Sequence, residues 1–253
     1  MKTIKFSRDA AFESAVKLLR TAPENYEPVM PNTSHGRPLP DTAYTQRIQW
    51  LAERIPAGSR LLDLGCGRGE ILHFLERERK VKYLGLERDP GHLASCHSVG
   101  IKALLADFND LSDPALRYAC SQQWDTVIII DTLVYWRCPS VVLAALSDRC
   151  QRIFVTLNNA GHIRNRWRAI RGIDTELPNA RGSLTKGNLE FSPNWFNKRW
   201  TMQSFVVWSA AMGYDARPVA RRSVNAKYLP LGFWPELTAR AVMFELTPSA
   251  RKA

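Results

Sequence analysis

The sequence predicts an α/β protein: a doubly wound, mostly parallel seven-stranded sheet, with a helical extension ahead of it. Three observations carry this. Short apolar runs alternate with helix-like segments through most of the 253 residues, the pattern of a parallel sheet covered on both faces. The run Leu61-Leu62-Asp63-Leu64 ends in glycines at alternating positions, Gly65, Gly67 and Gly69. The next run, Val81 to Leu86, ends in Glu87, 18 residues after Gly69.

Taken in order, residues 8–20 carry Phe12, Val16 and Leu19 at helical spacing. Residues 21–40 hold five prolines and read as an extended connector. Residues 1–40 are therefore expected to be an extension serving as a lid, a partner-binding arm or packing, and 41–253 the main domain. Asp41 can cap a helix carrying Ile48, Leu51 and Ile55. Strands follow at 60–64 and 81–87, then 101–107, 124–131 and 151–157, with helices at 70–76, 90–99, 113–121 and 138–149 between them. Residues 158–199 form a polar and aromatic insertion. A helix at 201–213 and strands near 216–223 and 239–246 close the sheet.

The glycines sit on a strand-to-helix turn, where a ligand can approach the backbone. A carboxylate closing the following strand reaches a ribose in such folds. The dinucleotide fingerprint G-x-G-x-x-G places a third glycine beside a pyrophosphate. Here Glu70 stands at that position, and its charge would repel a pyrophosphate. A sulfonium cofactor is positively charged and carries no phosphate, so the spacing favours S-adenosylmethionine (SAM) over NAD.

These segments resemble the class I SAM-dependent methyltransferases, which have a Rossmann-like fold and the motif D-x-G-x-G-x-G followed by acids after strands two and three. The resemblance implies that Glu87 holds the ribose hydroxyls. It also implies that Asp107 accepts from the adenine amino group with Phe108 against the ring, and that Asp63 lies near the cofactor's amino-acid end. A closer resemblance, over about residues 56–215, is to the MetW family. It rests on Pro56 to Glu70, Gly85-Leu-Glu-Arg-Asp-Pro90, Thr156 to Arg166 and Trp195 to Phe205. That family is associated with methionine biosynthesis, where it accompanies a homoserine O-acyltransferase. The chain departs from the family pattern in its N-terminal extension, at Asn159-Ala160 and at Lys198-Arg199-Trp200.

Methyl transfer needs an aligned acceptor and, for some acceptors, a base. Asp131 and His162, after the fourth and fifth strands, are the candidates; their structural alternatives are a cap and a loop-pinning histidine. Arg164, Arg168 and Arg171 share one helical face and could meet an anionic acceptor. Residues 1–151 hold 19 Lys and Arg against 18 Asp and Glu, whereas 152–253 hold 16 against 6, so nearly all of the net +11 lies in the C-terminal part. The tryptophans at 167, 195 and 200, with Arg181, Lys186, Lys198 and Arg199, also suit single-stranded nucleic acid. No recognised RNA-binding module accompanies them. No N-P-P-Y-type tetrapeptide follows strand four.

Five cysteines, none in C-x-x-C, together with an N-terminus lacking an apolar signal core, point to a reducing, cytoplasmic setting without structural zinc. Cys66 reads as a small filler, and the spacing of His92 and His97 argues against a metal site. No apolar run reaches the ~18 residues of a membrane span. Two functions follow: a SAM-dependent methyltransferase acting on an unidentified small or anionic acceptor, or a SAM-fold subunit that binds or regulates a partner enzyme. The second predicts an exposed apolar patch from Phe191, Trp195, Phe196 and Trp200.

Overall fold

A computed structural model of the chain describes residues 9–29, 45–171, 200–222, 228–229 and 234–249. Its parallel strands are β1 (Arg60–Leu64), β2 (Lys82–Glu87), β3 (Ala103–Leu105), β4 (Trp124–Ile129) and β5 (Cys150–Asn158). β6 (Tyr214–Arg222), the two-residue β7 (Tyr228–Leu229) and β8 (Ala241–Pro248) complete the sheet. The order is β3-β2-β1-β4-β5-β8-β6-β7, with β8 antiparallel to both β5 and β6. The seven expected strands are all present. β7, which pairs with β6 through Arg221 and Arg222, makes an eighth.

Alternation along the strands divides the core between two faces. Leu62, Leu64, Val127 and Ile129 pack on one side beneath α1 (Ala10–Arg20), α5 (Pro114–Ser121), α6 (Pro139–Leu146) and α8 (Met202–Ala211). Leu61, Ile128, Phe154 and Met243 face the other side with α2 (Thr45–Ala52), α3 (Glu70–Arg79) and α4 (Pro90–Ser98). Asp9, Asp89 and Asp113 cap α1, α4 and α5 by accepting a backbone N–H three residues on.

The first helix is packed, not free. Val16 and Leu19 are buried in the core. Arg20 donates to the carbonyls of Ala144 and Ala145 at 2.7 and 3.0 Å and pairs with Asp148 at 2.9 Å. Those carbonyls belong to the last turn of α6, whose exposed acceptors favour a cation.

After β5 the chain makes a tight turn into α7 (Ile163–Ile170), and the short α9 (Pro235–Thr238) lies against that turn: Asn159 Nδ2 donates to Glu236 O at 2.8 Å and Ala239 O at 3.0 Å. Trp200 does not belong to an exposed patch. It is buried against Phe205 and Trp208, with ring centroids 5.7 and 5.3 Å away, because Thr201 caps α8 immediately after it and turns the indole onto that helix. Phe191, Trp195 and Phe196, like Arg181, Lys186, Lys198 and Arg199, lie outside the described residues.

Candidate functional site

The glycine turn sits at the carboxyl end of β1, where ligands bind in open parallel sheets. Gly65, Gly67 and Gly69 all have positive φ, of 91°, 58° and 83°. Gly65 also needs its missing side chain for space, since a Cβ there would overlap the Thr132 methyl and lie 2.9 Å from Thr132 Cβ. Thr132 is drawn in by its hydroxyl, which donates to Leu64 O at 2.9 Å.

Glu87 organises the turn. Its Oε2 accepts from Gly67 N at 2.8 Å, and its Oε1 accepts from Arg88 N and Asp89 N at 2.8 and 2.9 Å. Three backbone donors hold a carboxylate only 9% exposed, and a carboxylate offers about four acceptor sites. Capacity therefore remains for a hydroxyl.

Asp63 is 1% exposed, and neither carboxyl oxygen has a hydrogen-bond partner among the described residues. Burial, reinforced by the neighbouring Glu87 and Glu70 carboxylates and opposed by Arg47, pushes its pKa up to about 8. An unsatisfied buried carboxyl is costly unless a donor or cation completes it.

Beyond β4, Asp131 adopts φ 58°, a conformation uncommon for a residue with a side chain. It is over-determined: Asp131 N donates to Thr156 Oγ1 at 2.8 Å, the Thr156 hydroxyl donates to Asp131 Oδ1 at 2.7 Å, and Arg47 Nη1 meets Oδ2 at 2.6 Å. Strain held in this way clusters at functional sites. Arg47 comes from α2, so α2 closes one wall.

Between these groups lies a cavity of about 650 Å³ lined by Arg47, Gly65, Gly67, Arg68, Glu87 and Asp131 among others. A smaller compartment of about 110 Å³ shares Gly65, Glu87 and Thr132 and adds Phe108, Tyr135 and Trp136. Phe108 and Trp136 stack at 4.9 Å with 15° between their planes, making a flat apolar wall.

Of the residues singled out in the sequence, Gly65, Gly67, Glu87, Asp131 and Phe108 thus meet at one place. Gly69 starts α3 and packs against Ile101 and Cys96. Asp107 is exposed; its Oδ1 accepts from Asn109 N at 3.0 Å, and it lines neither compartment. His162 lies at the entry of α7, where Nδ1 accepts from Arg164 N at 3.1 Å. Burial, then Arg240 and Arg164, lowers its pKa. Neither His162 nor Arg164, Arg168 or Arg171 is among the described residues lining the two compartments. Sequence reasoning missed Arg47 as a wall residue and Thr156 as the support of Asp131.

A family model described as methionine biosynthesis protein MetW matches residues 46–181. The chain belongs to the MetW family. The matched region runs from α2 through β5 and α7, and so contains the glycine turn, Glu87 and Asp131. Among solved structures, the chain is similar to a SAM-dependent methyltransferase from Thermotoga maritima, with 12% identity, 81% of this chain and 88% of that one covered, and a TM-score of 0.52. It is similar to an S-adenosylmethionine-dependent methyltransferase from Clostridium acetobutylicum at 10% identity, 83% and 94% coverage and a TM-score of 0.51. A TehB-like SAM-dependent methyltransferase from Corynebacterium glutamicum gives 14% identity, 83% and 90% coverage and 0.50. No curated protein sequence matches. The fold of this MetW member is that of the class I methyltransferases.

Proposed function

We propose that this MetW-family chain binds SAM and transfers its methyl group to an unidentified, anionic acceptor. The observation that carries the reading is the Glu87-bound glycine turn lining a cavity large enough for a cofactor; the buried, unpartnered Asp63 carboxyl lies behind that wall, two residues before Gly65 and within electrostatic reach of Glu87, Glu70 and Arg47. SAM supplies an electrophilic methyl on a sulfonium, and its ammonium is a donor of the kind Asp63 lacks. The Glu87 carboxylate takes ribose hydroxyls. Phe108, with Trp136, forms the apolar wall for the adenine ring; Asp107, the residue before Phe108, lies outside the lining of both compartments and would have to turn inward to accept from the amino group. Glu70, facing the same cavity, argues against a pyrophosphate-bearing cofactor.

Arg47 and Arg68 are the cations of the cavity wall and attract carboxylate or phosphate groups. In this reading Asp131 accepts the proton of the acceptor as the methyl is transferred, and Arg47 and Thr156 orient it. Removing such a base costs typically 10²–10⁴-fold in rate. The test is Asp131→Asn: SAM affinity should persist while S-adenosylhomocysteine formation from a responsive acceptor falls on the order of 10²-fold or more. Unchanged turnover would remove Asp131 from the chemistry.

A second reading is favoured by one observation: both Asp131 oxygens are already engaged, by Arg47 and by Thr156. Were that arrangement permanent, the chain would be a SAM-binding subunit of a partner enzyme, for which the family suggests a homoserine O-acyltransferase. SAM binding without S-adenosylhomocysteine formation in an acceptor screen, together with co-purification of an acyltransferase, would establish it.

A further inference from the structure

We infer that α7 is an in-plane anchor for an anionic lipid bilayer. At about 100° of rotation per residue, Ile163, Trp167 and Ile170 fall within roughly 60° of one another and form one stripe. They are 55%, 55% and 76% exposed, although apolar side chains at helical spacing ordinarily face a core. Asn165 lies roughly opposite the stripe and ties the helix to the body, its Nδ2 donating to Asn159 O at 3.2 Å and Ala160 O at 3.4 Å. The stripe therefore faces away from the described body to which Asn165 is tied, and no α7 residue with a described side chain is buried.

The flanks of the stripe are cationic. Arg166 lies on one side and Arg164, Arg168 and Arg171 on the other, and no acidic residue occurs between Gly161 and Arg171. Among the described residues none of these four arginines is in an ion pair. Arg164 and Arg168 are four apart and Arg168 and Arg171 three apart, spacings at which like charges repel on a helix. A short helix that fully buries none of its described side chains and repels itself is poorly stabilised alone. An anionic surface answers both deficits: headgroups neutralise the arginines while the stripe enters the acyl boundary. Arg171 already sits 5.2 Å over the Trp167 ring, an arrangement that brings cation and indole to the same level of an interface. The absence of acids favours a bilayer over a protein groove, because a protein partner's mixed surface would be matched by mixed charge. No described helix is long and apolar enough to cross a membrane, so attachment would be peripheral.

The experiment is flotation of the full chain with phosphatidylcholine vesicles, with and without phosphatidylglycerol, while tryptophan emission and its quenching by brominated lipid are followed. Binding to the phosphatidylglycerol vesicles only, weakened by salt, with a blue shift lost in Trp167→Ala, is expected. Ile170→Glu should abolish flotation, and Arg164→Gln should weaken it about fivefold, the worth of one cation near such a surface. Circular dichroism melting of each variant separates these losses from unfolding, and neither readout depends on SAM. Absence of flotation in the folded chain, equal binding to both vesicle types, or flotation undiminished in Ile170→Glu would overturn the proposal. So would self-association that shields Trp167 and persists with vesicles, which would assign the stripe to a protein contact.

Discussion

At the residue scale, the decisive groups are two carboxyls in opposite states of satisfaction. Glu87 has three backbone donors, and Asp63 has none among the described residues. Glu87→Ala should weaken SAM binding by roughly 1–3 kcal/mol, the worth of hydrogen bonds to a charged group, as read by calorimetric titration. Asp63 makes a pH-dependent prediction. Its folded pKa of about 8 exceeds the ordinary carboxylate value of 3.8, so the folded chain binds a proton that the unfolded chain releases. The stability it contributes is complete below pH 3.8 and is lost as pH rises through 8. Urea unfolding of the free protein should thus show stability falling across that window, with a shallower fall in Asp63→Asn. A cation binding at Asp63 favours its ionised form, so SAM binding should release a proton and tighten as pH rises toward 8. Equal slopes in wild type and Asp63→Asn would show that the carboxyl is not the titrating group. Gly65→Ala belongs here too: positive φ and the Thr132 overlap act together, so SAM binding should be lost even where the chain still folds.

At the scale of elements, α1 and α2 tie the N-terminal region to the sheet. Leu19 is fully buried, so Leu19→Ala should cost about 2–5 kcal/mol in urea unfolding. A cost below ~0.5 kcal/mol, the scale of surface changes, would mean that α1 is a detachable arm. The strands were legible in the sequence because their cores are apolar runs too short for a helix and followed by turns. β3 was read too long: only Ala103–Leu105 pairs with β2, and the flanking apolar residues, Ile101 and Ala106, are buried by packing outside the strand. β7 left no trace because two residues have no period. Glu87 and the glycines could be found because they are adjacent to strand ends. Arg47 and Thr156 could not, because their meeting with Asp131 depends on where α2 lands and on the register of β4 with β5. His162 was a candidate base by its place after the fifth strand, with a loop-pinning histidine as the alternative; its Nδ1 accepts from Arg164 N at the turn into α7, a role that spacing does not distinguish from catalysis. The same stretch held an exposed apolar stripe, of which the sequence reading picked out Trp167 beside the arginines but not Ile163 or Ile170.

At the scale of the whole molecule, the parallel strands bring the glycine turn, Glu87 and Asp131 together at their carboxyl ends, α2 adds Arg47, and the C-terminal part brings most of the net charge to the chain. A common fold therefore carries family-specific chemistry in its loops, and likeness of fold to other methyltransferases does not choose the acceptor. The central claim is that this cavity takes a sulfonium adenosine cofactor. Isothermal titration of the purified chain with SAM, with S-adenosylhomocysteine and NADH in parallel and Glu87→Ala alongside, tests it most directly. The account predicts micromolar binding of both sulfur compounds, none of NADH, and a marked loss in the variant; a folded chain that binds neither sulfur compound, or that prefers NADH, would contradict it.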